Sequence, residues 1–140
     1  MILLDTNVVS EMMKPTGDVK ARRWVDSHAE IDFYIATPVI AELRFGLALL
    51  PSGRKKDALT RACQTIEEEI FAGRILAFDQ RAAHAFARLR AKRQTLGKPL
   101  AVMDAMVAGI ASAHAMTLAT RNVADFVDLD LTVVNPFAFQ

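Results

Sequence analysis

A chain of 140 residues that is 52% hydrophobic and 24% charged, with a net charge of +1, is long enough to enclose one real core over residues 1–140. Its overall charge points to no partner. Charges interrupt every long apolar run, which excludes a membrane-spanning helix, and the single cysteine, Cys63, excludes an internal disulfide framework and any multi-cysteine metal site.

Five short segments rich in apolar or β-branched residues read as strands: Ile2–Asp5, Phe33–Ala36, Ile75–Phe78, Thr117–Thr120 and Thr132–Val134. Helical patterns fall between them, at Thr6–Met13, Val19–Ser27, Pro38–Leu50, Lys55–Gly73, Gln80–Leu96 and Ala101–Ala115. This alternation predicts an α/β fold with a mostly parallel sheet, and right-handed crossovers put helices on both of its faces. Thr37-Pro38 reads as a helix start, with Thr37 as N-cap. The helix after it is apolar nearly all round, so part of it is expected to meet a second copy of the chain. Gly46 and Gly109, inside their helices, suggest close helix approach. The opening Met-Ile-Leu-Leu-Asp is too short for a signal-peptide core and has no basic leader, so the cytoplasm is the expected compartment.

Asp104 is the only charge between Leu100 and Ala113. A carboxylate carried into a core is costly unless it is paired, hydrogen-bonded or bound to a cation. It is either a helix N-cap behind Pro99 or part of a site. Two more acids stand in comparable settings. Asp5 ends the first strand, where it either caps the next helix or serves a site, and Glu42 lies early in the Thr37 helix. A capping box does not explain Glu42, because the position three residues after Thr37 is Ile40. The carboxyl ends of parallel strands and the helix starts that follow them share one edge of a sheet, so these three acids can meet there.

Converging carboxylates repel unless a cation is present. All-oxygen ligands favour Mg²⁺ or Mn²⁺ over zinc, and His28, His84 and His114 sit at no ligand spacing. Such a site suits phosphoryl chemistry. After the fourth strand, Thr120, Asn122 and Asp125 offer a hydroxyl, an amide and a further carboxylate, and Asn122 and Asp125 serve equally well as turn residues. From Arg81 to Lys98 there are six basic residues and no acid (Arg81, Arg88, Arg90, Lys92, Arg93, Lys98). This is either a solvated helix face or a phosphate-tracking surface. Cys63 reads as structural.

Four segments in order resemble the motifs of PIN-domain ribonucleases: Ile2–Ser10, Thr37–Gly46, Asp104–Ala111 and Leu118–Phe126. Within that family the resemblance is to the VapC toxins of type II toxin–antitoxin pairs, including FitB-like members. It implies a three-layer α/β/α sandwich with a five-stranded parallel sheet in the order 3-2-1-4-5. It further implies Mg²⁺- or Mn²⁺-dependent cleavage of structured RNA, often tRNA, by activated water, with a homodimer held inactive by a cognate DNA-binding, VapB-like antitoxin whose tail fills the active-site groove. By position, Asp5, Glu42 and Asp104 match the metal-binding acids, Thr6 and Asn7 the polar pair behind the first, and Thr120 the hydroxyl of the last motif. Many members carry Asp where this chain has Asn122, and Asp125 stands three residues on as its replacement. Arg44, Arg121, Arg88 and Lys92 are candidate phosphate contacts, and Arg44 is alternatively a partner for Glu42.

Other classes fit less well. Haloacid-dehalogenase-like phosphatases need an acid at position 7, which is Asn, and response-regulator receivers need an acidic pair where residue 4 is Leu. No Gly-x-Gly-x-x-Gly follows any strand. A non-cleaving PIN-fold module that binds nucleic acid or a DNA-binding antitoxin remains the alternative.

Overall fold

Each strand is only two to four residues long in the computed structural model, which describes residues 1–140: β1 (Ile2–Leu4), β2 (Phe33–Ala36), β3 (Ile75–Leu76), β4 (Thr117–Ala119) and β5 (Val133–Val134). They form one parallel sheet in the order 3-2-1-4-5. Successive strand residues face opposite sides. Leu3 and Leu4, Ile35 and Ala36, and Leu118 and Ala119 are nonetheless all fully buried. Both faces of the sheet are therefore covered.

The covering helices are α1 (Thr6–Met12), α2 (Val19–Asp26), α3 (Thr37–Leu49), α4 (Arg54–Thr65), α5 (Gln80–Thr95) and α6 (Val102–Ala113). None is long and apolar enough to cross a membrane. Asp18 and Asp79 cap α2 and α5 through the backbone nitrogens of Ala21 and Ala82.

Two local expectations are corrected. Thr37 is not a cap: the cap position is Ala36, and the Thr37 hydroxyl accepts a hydrogen bond from the Phe78 nitrogen at 3.2 Å, tying the start of α3 to the loop after β3. The long helix expected over Lys55–Gly73 stops being α-helical at Thr65 and continues as a π turn, Ile66–Ile70. The Phe71 nitrogen bonds to the Ile66 carbonyl, five residues back, at 2.9 Å. The extra residue in this turn accompanies burial of both Ile66 and Phe71. Gly73, at φ +77°, then reverses the chain into β3.

The core face of α5 is the stripe Ala82, Ala85, Leu89 and Arg93. It packs antiparallel on α6, and Gly109 is the point of closest approach. A Cβ there would lie 2.7 Å from the Ala82 carbonyl oxygen and 3.0 Å from the Phe86 nitrogen. Gly46 was expected to do the same for α3, but a Cβ at that position meets nothing within 4 Å. The two glycines therefore predict opposite outcomes. Gly109→Ala is expected to lower stability by about 1–3 kcal/mol, because a backbone neighbour cannot swing aside. Gly46→Ala is expected to raise it by about 0.5–1 kcal/mol through helix propensity alone. Urea midpoints of the two variants check both, and equal shifts would contradict the packing described.

Candidate active site

The chain runs outward from β1 in two directions, to β2 and β3 on one side and to β4 and β5 on the other. The crevice between the carboxyl ends of β1 and β4 is thus a topological switch point, where ligands bind in open α/β sheets. Asp5 and Thr120 stand side by side there, since the Asp5 nitrogen bonds to the Ala119 carbonyl at 2.9 Å.

Asp5 is only 5% exposed, and both of its oxygens are held. Oδ1 accepts from the Thr6 nitrogen at 2.8 Å, which makes Asp5 the N-cap of α1 as well as a member of the cluster. Oδ2 accepts from the Thr120 hydroxyl at 2.8 Å and from the Asn7 amide at 3.3 Å. Asn7 also donates to Thr120 Oγ1 at 3.1 Å, and its own oxygen accepts from the Arg121 nitrogen at 3.0 Å. Three polar residues predicted from the sequence, Thr120, Asn7 and Thr6, therefore hold one carboxylate, Thr6 through its backbone.

Glu42 comes from the second turn of α3 and is half-buried. Asp104 is the third residue of α6. The cap position there is Ala101, so the capping explanation of Asp104 falls away. Asp125 lies in the 3₁₀ turn Val123–Phe126 after β4. Four elements thus deliver one acid each.

The four acids lie close enough for their charges to act on one another. Burial raises the Asp104 carboxyl from 3.8 to about 6, and the carboxylates of Asp5, Asp125 and Glu42 add to the rise. Burial also raises Asp5, against its hydrogen bonds to Thr120, Thr6 and Asn7, and Asp125 pushes in the same direction. Glu42 is raised by burial and by Asp5, while the Thr6 side chain opposes the rise. Thr6 Oγ1 is buried and completes no hydrogen bond of normal geometry. As they stand, no three of the acids close around one point tightly enough to grip an ion. The cluster is an all-oxygen donor set with uncompensated negative charge, and a hard divalent cation fits that chemistry.

The remaining sequence candidates are distributed differently. Asn122 enters through its backbone, donating to Thr120 Oγ1 at 3.1 Å and accepting from the Asp125 nitrogen at 3.0 Å. Arg44 does not hold Glu42. Its guanidinium pairs with Glu67 of the π turn at 2.5 Å. Arg121 is half-exposed, pairs with Glu11 at 3.9 Å and sets its guanidinium 3.8 Å from the Phe137 ring centroid. Arg88 donates to Ser112 Oγ at 3.2 Å, and Lys92 pairs with Asp130 at 3.1 Å. The whole basic run from Arg81 to Lys98 is engaged within the fold, where Arg81 and Arg90 donate to the Ala113 and Leu100 carbonyls and Lys98 pairs with Asp128. Arg81, Arg88, Lys92 and Lys98 nonetheless remain exposed. The sequence grouped Arg93 with the surface cations of that run, but it is only 6% exposed. The signal was its place at the end of the 82-85-89-93 stripe.

A groove of about 710 Å³ opens beside Thr6 and Glu42 and runs between α1, α3 and α4 past Met13, Leu43, Leu47 and Leu59. On the outer side of α3, Phe45 and Leu49 are 66% and 70% exposed.

The model of the PIN domain matches residues 2–130, a span that contains all four acids. The chain belongs to the PIN-domain family. This PIN domain is 41% identical to Toxin FitB of Neisseria gonorrhoeae, over 98% of this chain and 99% of that one. It is 36% identical to VapC ribonuclease Y4jK of Sinorhizobium fredii, over 98% of both chains. The crystal structure of FitAcB from Neisseria gonorrhoeae superposes with a TM-score of 0.92 at 40% identity, covering 99% of this PIN domain and 100% of that chain. A structure of FitAB bound to a DNA fragment matches equally well, with a TM-score of 0.92 at 40% identity over 100% and 98% of the two chains.

Proposed function

We propose that residues 1–140 act as one PIN domain, the toxin of a type II toxin–antitoxin pair, and as a divalent-metal-dependent endoribonuclease cutting structured RNA such as tRNA in the cytoplasm. The observation that carries this reading is the convergence of Asp5, Glu42, Asp104 and Asp125 from four separate elements, with three of the carboxyls raised above their ordinary values. The names of the relatives, a toxin and a VapC ribonuclease, support the same reading. The DNA-bound FitAB structure supports pairing with a DNA-binding, VapB-like antitoxin.

Asp5, Glu42 and Asp104 would hold Mg²⁺ or Mn²⁺, with Asp125 in support. The ion supplies Lewis acidity for the scissile phosphodiester and for the attacking water. The chain's own residues do the rest. Thr120, Asn7 and the Thr6 nitrogen fix Asp5 in one orientation. Arg121 adjoins the cluster through its nitrogen on Asn7 and offers a half-exposed guanidinium to the RNA backbone. The groove beside Glu42 would receive the antitoxin's tail, and a second copy would cover Phe45 and Leu49.

The test is cleavage of total tRNA by the antitoxin-free chain in Mg²⁺, Mn²⁺ or EDTA, beside Asp5→Ala. Fragments that require metal and vanish in the folded Asp5→Ala variant are the expected result. Retained cleavage in that variant would refute the site. Absence of both cleavage and metal-induced thermal stabilisation would favour a non-cleaving module that binds nucleic acid or an antitoxin.

A further inference from the structure

The four acids are not held alike. Asp5 has a hydrogen-bond donor on each oxygen. The Asp125 carboxylate, on an exposed 3₁₀ turn, accepts no hydrogen bond from any protein group, and only its backbone is tied. The backbone that presents it is set by the loop that carries it. That loop, between β4 and β5, contains two residues in the left-handed region, Asp128 at φ 64° and Asp130 at φ 54°. Phe126 and Leu129 anchor it in the core.

Arg93 closes on this loop from α5. Its Nη1 donates to the Asp125 carbonyl at 2.6 Å and to the Val127 carbonyl at 3.1 Å, and its Nε donates to the Lys98 carbonyl at 2.9 Å. No carboxylate forms an ion pair with it, so a buried guanidinium is neutralised only by backbone carbonyl dipoles. Burying a charge this way is expensive, and a hydrophobic residue would complete the α5 stripe at lower cost. What the guanidinium adds is a rigid planar fork that fixes three carbonyls at once. Lys92 and Lys98 reinforce it from the same end of α5, reaching Asp130 and Asp128 of the same loop at 3.1 and 3.5 Å. Three of the six basic residues, Lys92, Arg93 and Lys98, therefore share a target, the segment that carries the fourth acid.

We propose that Arg93 is a positioning residue that sets the Asp125 carboxylate at the acid cluster by clamping the backbone of residues 125–127, with Lys92 and Lys98 as outer ties. This inference rests on the metal-dependent nuclease reading for the role of Asp125. The loop clamp itself is read from the geometry of Arg93.

A double-mutant cycle tests it. Mn²⁺ affinity by titration calorimetry, and RNA cleavage split into kcat and KM, are measured for Arg93→Lys and Arg93→Gln with Asp125 present and in the Asp125→Ala background. Residues that orient a metal ligand are typically worth about 10–100-fold. Arg93→Gln is expected to weaken Mn²⁺ binding and lower kcat by about 10-fold with KM little changed, and Arg93→Lys to recover part of the loss. Both losses should shrink to less than about 2-fold when Asp125 is already alanine. Equal losses in the two backgrounds, or no loss in the first, would overturn the proposal. If the Arg93 variants fail to fold, Lys92→Ala/Lys98→Ala, which touches only exposed ends, carries the same cycle with an expected effect of about 2–3-fold and the same criterion. A wild-type chain that binds Mn²⁺ and cuts no RNA would count against the nuclease alone, because the calorimetric cycle still decides the clamp. A wild-type chain that binds no Mn²⁺ would overturn both.

Discussion

Replacing Asp104 by asparagine is expected to abolish metal-dependent RNA cleavage and, at the same time, to make the metal-free chain more stable. The two effects have one cause. Asp104 is half-buried, and Asp5, Asp125 and Glu42 all press on it with like charge, which is why its carboxyl stands near 6. At neutral pH the folded chain must ionise this group in a worse place than the unfolded chain does. A rise from 3.8 to about 6 corresponds to at most about 3 kcal/mol. Partial exposure and solvent screening bring this down to about 1–2 kcal/mol. Asparagine forfeits the favourable interaction of an acid with the first turn of α6, about 0.3–1 kcal/mol. The net gain is about 1 kcal/mol, or about 3–5 °C in Tm for a chain of this size. Cleavage should fall by at least about 100-fold, since even the outer partners of a metal ligand are worth 10–100-fold. Thermal melting in EDTA and tRNA cleavage in Mn²⁺, on the same preparation, read both arms. A lower Tm for Asp104→Asn would mean that the carboxylate stabilises the helix, and retained cleavage would remove it from the site.

That trade-off was partly legible in the sequence, and the reason lies in contrast. A lone acid in the run from Leu100 to Ala113 stands out because hydrophobic burial is predictable from composition, so a charge inside it calls for a partner. Asp5 was legible from its place at the end of a strand. The sheet followed from the alternation of short apolar segments with helices, and its five-stranded order followed from the family resemblance. What stayed hidden depends on pairings that no local pattern encodes. Glu67 lies 23 residues from Arg44, and only the π turn brings it there. Asp5 looked like either a cap or a site residue, whereas one of its oxygens caps α1 and the other is held by Thr120 and Asn7 at the strand ends. Arg93 was hidden by its neighbours. In a run of six cations it reads as one more solvated charge, and only its register with Ala82, Ala85 and Leu89 turns it inward.

The stability of the metal-free chain is expected to fall as pH rises from about 4 to about 6, and added Mg²⁺ or Mn²⁺ to reverse that fall. For an acid whose folded value is raised, the folded state binds more protons than the unfolded state between the two values, so unfolding free energy decreases with pH across that interval. For Asp104 the interval runs from 3.8 to about 6. Asp5 and Glu42 are raised too, so they act in the same direction. The favourable contribution is complete below the lower value and lost above the upper one. Subtracting the Asp104→Asn melting curve from the wild-type curve isolates this group from the rest of the protein's acid titration. The difference should be near zero at pH 4 and level off above pH 6. A divalent ion binds the ionised carboxylates and competes with their protons. At about 100 times its Kd it should add about 2.7 kcal/mol above pH 6, or about 10 °C, and that gain should fade below about pH 5. A wild-type minus variant difference that is flat with pH would show that the four carboxylates do not share a field. Metal stabilisation that persisted unchanged at pH 4 would put the ion on groups other than these acids.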